Sequence, residues 1–182
     1  MMKNTTKRLS VWAGVVALIL LLPLVAMQFT DEANWSLSDF IFMGAALFGL
    51  GLAYELIARR SEKTVYRVAF GLGLAGAFLL FWVNGAVGII GSEDNPANLL
   101  YGAVFVVGLI GSLISRFKPR GMAGTLFAAA FVQMLVPVIA LIVWRPDFSP
   151  GVVQVFVLNA FFALLFISSA LLFRRASAMG SR

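Results

Sequence analysis

The chain has 182 residues, 61% of them hydrophobic and 12% charged. A water-soluble domain holds its apolar residues to roughly half of the chain, so too little polar surface remains here to coat a globule, and the bilayer is the expected solvent. The net charge of +6 is broken into clusters too short to track a phosphate backbone, which argues against a nucleic-acid partner. The lack of Cys and His removes disulfides, thiolate and imidazole metal ligands and the usual nucleophile–base pairs.

Between the charge clusters run six apolar stretches near the ~20 residues that cross a ~30 Å hydrocarbon core at ~1.5 Å per residue. They are continuously apolar rather than alternating, which selects helices over a barrel. The expected fold is an all-α integral membrane protein, one six-transmembrane-helix bundle over residues 1–182. The first span is Val11–Phe29, behind Lys3, Lys7 and Arg8. It is too long for a secretory signal core and has no A-x-A site, so it reads as a retained span, bent at Pro23. The second span is Asp39–Ile57, entered through Ser36-Leu37-Ser38-Asp39 with capping-box spacing.

The third span is Val68–Gly91, in which Gly85, Gly88 and Gly91 share one helical face. Ser92-Glu93-Asp94-Asn95-Pro96 then turns the chain, with Asn95 as N-cap and Pro96 as first residue of the fourth span, Pro96–Ser115. The fifth span is Gly121–Trp144, interrupted by Pro137, and the sixth is Gly151–Phe173. Short loops predict that consecutive spans pack as antiparallel neighbours. The small-residue stripes Ala45-Gly49-Ala53 and Ala69-Gly73-Ala77 have the spacing of closely approaching membrane helices, and this order would bring them together.

Charge sets the expected orientation. With the N-terminus inside, all 14 Lys and Arg but Arg145 fall on the cytoplasmic side, while Asp31, Glu32, Asp39, Glu93, Asp94 and Asp147 fall outside. The positive-inside rule then places both termini in the cytoplasm and disfavours a dual-topology dimer. Trp35, Trp82, Tyr101 and Trp144 read as an outer aromatic belt, and Trp12, Tyr54 and Tyr66 as an inner one.

Polar side chains are costly in hydrocarbon and mark either packing contacts or function. Asn84, Asn98, Tyr101, Gln133 and Asn159 are the candidates for an outward-facing polar pocket, with Gln154 also in the outer half and Glu93 and Asp94 giving the mouth a field attractive to cations. The competing expectation is that the amides only bond helices together. Glu55, inside the second span, has Arg59 at i+4 and reads as a local ion pair near the cytoplasmic surface, with cation coupling as the alternative. Pro137 has no N–H for the carbonyl of Gln133, which predicts a kink or hinge. No span holds a Lys, His or Cys, and no two acids share one-turn spacing, so neither an enzyme nor a cofactor is expected.

The stretch Asn84-Gly85-Ala86-Val87-Gly88-Ile89-Ile90-Gly91-Ser92-Glu93-Asp94-Asn95-Pro96-Ala97-Asn98-Leu99-Leu100-Tyr101, with Arg116-Phe117-Lys118-Pro119-Arg120-Gly121-Met122-Ala123, resembles a group of small bacterial inner-membrane proteins with no assigned activity. That resemblance implies a bacterial inner membrane and carries over no functional residue. The expected function is binding or assembly in the membrane, as a homo-oligomer or an accessory subunit with a membrane-protein partner. The alternative is a small permease or channel for a small solute or cation.

Overall fold

The computed structural model describes residues 2–30, 34–145 and 147–179, without the side chains of residues 2–6 and 60. Of the charges that orient the chain, Asp31, Glu32 and Arg182 and the side chains of Lys3 and Arg60 lie outside the described residues. The elements are α1 (Met2–Ala26), α2 (Leu37–Ile57), a 3-10 turn (Ala58–Arg60), α3 (Thr64–Ala86), a 3-10 helix (Pro96–Tyr101), α4 (Gly102–Ile114), α5 (Pro119–Trp144) and α6 (Pro150–Ala178). All regular structure among the described residues is helical, and 6 helical segments are long and apolar enough to cross a membrane, Pro96–Ile114 counting as one.

The chain divides into two compact units, residues 1–60 and 61–182. In the first, α1 packs on α2 where glycine admits a bulky neighbour: a Cβ on Gly51 would lie 2.6 Å from the Trp12 indole, and one on Gly44 3.3 Å from Leu20. α2 opens with the expected capping box. The Ser36 hydroxyl accepts from the Asp39 N–H at 3.3 Å, and the Asp39 carboxylate accepts from the Ser36 N–H at 2.7 Å.

In the second unit α6 packs on both α5 and α3, and α5 also packs on α4. Buried residues recur every three or four positions along α5 (Met122, Leu126, Ala129, Gln133, Val136, Ala140) and α6 (Asn159, Phe162, Phe166, Ser169, Phe173, Ala176), so each helix presents one inward stripe. Within the units, pairing in chain order holds for α1–α2, α4–α5 and α5–α6, while in the second unit α3 packs on α6. The small stripe of α3 lies there. Gly73 faces Ser169, Gly76 faces Leu165 and Phe166, and the Ser169 hydroxyl donates to the Ala69 carbonyl at 2.6 Å.

Several boundaries differ from the sequence reading. The third helix ends at Ala86 rather than Gly91, because Gly88 (φ 70°) and Gly91 (φ 72°) adopt the left-handed conformation and leave the helical face of Gly85. The fourth begins in 3-10 winding and stops at Ile114, followed by left-handed Arg116 and Phe117. The first gives out at Ala26 in a turn where Thr30 N–H bonds the Ala26 carbonyl at 3.0 Å, and the sixth continues to Ala178.

Candidate functional site

The 87–95 segment that replaces the last turn of the expected third span is organised by one side chain. Asn98 is buried, and its Oδ1 accepts from the backbone N–H of Ile89 at 3.1 Å and of Ile90 at 2.9 Å. Its Nδ2 donates to the carbonyls of Ser92 at 2.7 Å and Ile90 at 3.3 Å. A single carboxamide thereby satisfies backbone groups that a helix would have paired internally. Asn95 caps the following 3-10 helix by accepting from the Ala97 N–H at 2.9 Å, with Pro96 in its first turn. Asn84, at the end of α3, donates to the Asn98 carbonyl at 3.3 Å.

The 3-10 winding decides what comes next. At three residues per turn, positions i and i+3 eclipse, so Asn98 and Tyr101 face the same way and both are buried. Tyr101 reaches Asn159 of α6, whose Nδ2 donates to the phenolic oxygen at 2.8 Å and also to the Val155 carbonyl at 2.8 Å. Asn159 Oδ1 accepts from Gln133 Nε2 of α5 at 2.9 Å. Tyr101, Gln133 and Asn159 are all 0% exposed. The five candidate pocket residues thus form two hydrogen-bonded groups, Asn84 with Asn98 and Tyr101–Asn159–Gln133, joined through the 3-10 helix. Glu93 and Asp94 are exposed on the 87–95 segment, and Gln154 is exposed on α6.

Two buried oxygens in these groups, Asn84 Oδ1 and Gln133 Oε1, accept no hydrogen bond from the described residues. An unpaired buried acceptor costs about 1–3 kcal/mol, comparable to what the satisfied interhelical bonds return at ~0.6–2 kcal/mol each. Beside the deeper group, a cleft of about 120 Å³ opens between α5 (Pro137, Leu141, Trp144), α6 (Val155, Phe156) and Ile90. Pro137 is one turn from Gln133 on α5, and Val155 one turn from Asn159 on α6. The cleft thus lies one helical turn from the buried amides, which do not line it themselves.

The opposite end of this unit is basic. The Tyr66 hydroxyl donates to the Phe117 carbonyl at 2.7 Å and Lys63 Nζ to the Ala176 carbonyl at 3.1 Å, drawing together the start of α3, the turn into α5 and the end of α6. Lys63, Arg67, Arg116, Lys118, Arg120, Arg174 and Arg175 belong to these segments. Tyr66 and Tyr101 are both buried with a bonded hydroxyl, so neither is a lipid-facing belt residue; each satisfies its polar tip inside the protein instead.

In the first unit Glu55 accepts from Arg59 Nε at 3.0 Å and from the Trp12 indole at 3.2 Å, with Arg8 at 3.9 Å. The i+4 pair is thus one edge of a cluster that ties α1 to α2. The involvement of Trp12 and Arg8 depends on helix packing and is not visible in spacing along the chain. Compared with protein-family models, curated proteins and solved structures, the chain matches none.

Proposed function

We propose that this protein is a multi-pass protein of the bacterial inner membrane, with both termini in the cytoplasm, that acts in binding or assembly rather than catalysis, as a homo-oligomer or accessory subunit. The observation that carries the reading is the fate of the polar residues in the spans. Tyr101, Gln133 and Asn159 are fully buried and bond three elements to one another, and the cleft beside them is apolar. Such an arrangement holds helices together and offers no polar route for a solute. The orientation is supported by the collection of basic residues at one end of the 61–182 unit and by Glu93, Asp94 and Asp147 in segments at the other.

Assembly is supported by the first unit. Among its described residues only Val16, Met43, Gly51 and Ala58 are buried, and the Cβ positions of Gly14 and Gly49 are open. Chemical crosslinking in native membranes, followed by mass measurement of the solubilised protein, tests the reading. A defined species larger than the monomer, or one copurifying membrane protein, is expected. A clean monomer in membranes and in several mild detergents would overturn it. The permease alternative rests on the cleft beside Pro137, and solute flux into liposomes that is lost on Gln133→Leu would favour it.

A further inference from the structure

We propose that the α5–α6 cleft holds part of one acyl chain of a phosphatidylethanolamine molecule, with the lipid phosphate at Arg145 and the headgroup ammonium at Glu93 and Asp94. The lining leads to the chain. Ala97, Pro137 and Ala140 are buried and form the floor, while Leu141, Trp144 and Phe156 supply apolar sides. Apolar cavities of roughly 150 Å³ take one benzene ring. A cleft of about 120 Å³ therefore admits a stretch of flexible chain better than a rigid ring system. Leu141 and Trp144 are exposed, so the cleft opens outward from spans long and apolar enough to cross a membrane. Lipid tails are the apolar molecules in greatest supply there.

Charge at the mouth selects the headgroup. Along α5 the cleft runs from Pro137 to Trp144, ~10 Å of rise at ~1.5 Å per residue. With Trp144 at the membrane interface, the deeper end of the cleft lies among acyl chains. Arg145 follows Trp144 directly, is exposed, and is the only Lys or Arg in residues 121–173. Glu93 and Asp94 are exposed and directly precede Asn95, which lines the cleft, and Asp147 is exposed just beyond Arg145. An anionic headgroup would meet these carboxylates as well as Arg145, whereas a zwitterionic one finds a partner for each sign. A primary ammonium also donates hydrogen bonds to carboxylates, which a quaternary one cannot. Asn95 Oδ1 already accepts from the Ala97 N–H at 2.9 Å, so its amino group is the part left for a lipid ester carbonyl.

The proposal rests on the six spans lying in a bilayer and is independent of oligomeric state. It is tested on the full chain in nanodiscs of equal phosphatidylethanolamine and phosphatidylglycerol with matched chains, released for native mass spectrometry. One retained phosphatidylethanolamine per chain is expected, favoured over phosphatidylglycerol by about two- to fivefold, the scale of a partly exposed ion pair. Ala140→Leu, which fills the floor, should abolish retention. Arg145→Gln, at an exposed position, should lower retention of both lipids, and Glu93→Gln with Asp94→Asn should erase the preference between them. Retention of no lipid, no preference in the wild type, or retention unchanged by Arg145→Gln would overturn the proposal. A chain that does not enter the bilayer at all would overturn the membrane reading and the proposal with it.

Discussion

Asn159 connects two other elements to α6 through one side chain, so it is the residue whose loss is expected to matter most. Asn159→Leu removes its bonds to Tyr101 and Gln133 and leaves a buried amide without its partner. The expected cost is about 1–3 kcal/mol, read as a lower unfolding temperature in detergent. Tyr101→Phe, which deletes a single hydroxyl, should cost about 0.5–1.5 kcal/mol. If Asn159→Leu unfolds like the wild type, these amides do not fasten the bundle. Gly88→Ala is a second test at this scale. At φ 70° a Cβ would lie 2.4 Å from the Ser92 backbone, so roughly 1–3 kcal/mol of strain is expected. Gly85→Ala, with nothing within 4 Å, should be neutral or slightly stabilising. The candidate polar residues were legible because an amide stands out in an apolar run. Their pairing was not, since the bonded partners lie 26 and 58 residues apart and their meeting depends on a 3-10 winding that no spacing rule announces.

Between elements, close approach is governed by what a missing Cβ admits. A Cβ on Gly73 would lie 2.9 Å from the Ser169 hydroxyl, the group that donates to the Ala69 carbonyl across α3 and α6. Gly73→Ala should therefore destabilise, and Ser169→Ala in the same chain should restore part of the loss, because the obstructing oxygen is gone. A double-mutant cycle is expected to give a coupling of about 0.5–2 kcal/mol; strict additivity would mean that the two helices are not in this register. Gly111→Ala meets Thr125 at 2.6 Å, and Thr125 is β-branched with its hydroxyl bonded to the Gly121 carbonyl at 3.1 Å, so α4 and α5 should part more readily than α3 and α6. Helix number and approximate extent were legible from apolar run length, and the entry to α2 from Ser36 and Asp39. The end of α3 was not, because glycine fits both a closely packed membrane helix and a left-handed turn, and only the Asn98 carboxamide under the 87–95 segment decides between them. The partner of α3 was equally hidden. Its small-residue stripe shows that a helix approaches closely without saying which one.

For the whole molecule the decisive property is the separation of charge along the helix axes. In the 61–182 unit Tyr66, Lys63 and their partners hold the basic segments at one end, while the 87–95 segment, the end of α5 and the start of α6 bound the cleft at the other. Retaining so many Lys and Arg on one side is the pattern that fixes membrane orientation during insertion. With that end in the cytoplasm, Ser92 and Ser149 face outward, and Ser61 and Ser177 lie inside. The native chain has no Cys, so each position can be tested with a single substitution and no background labelling. Ser92→Cys and Ser149→Cys, both at exposed positions, should react with an impermeant maleimide in intact cells. Ser61→Cys and Ser177→Cys, both at half-buried positions, should react only after the membrane is opened. Their labelling after permeabilisation is the internal control, because it shows that protection in intact cells comes from the bilayer and not from packing. The reverse pattern would invert the orientation and move the cleft to the cytoplasmic face. Labelling of both sets from outside would mean that the helical segments do not all cross the membrane, and the charge argument would fail with them.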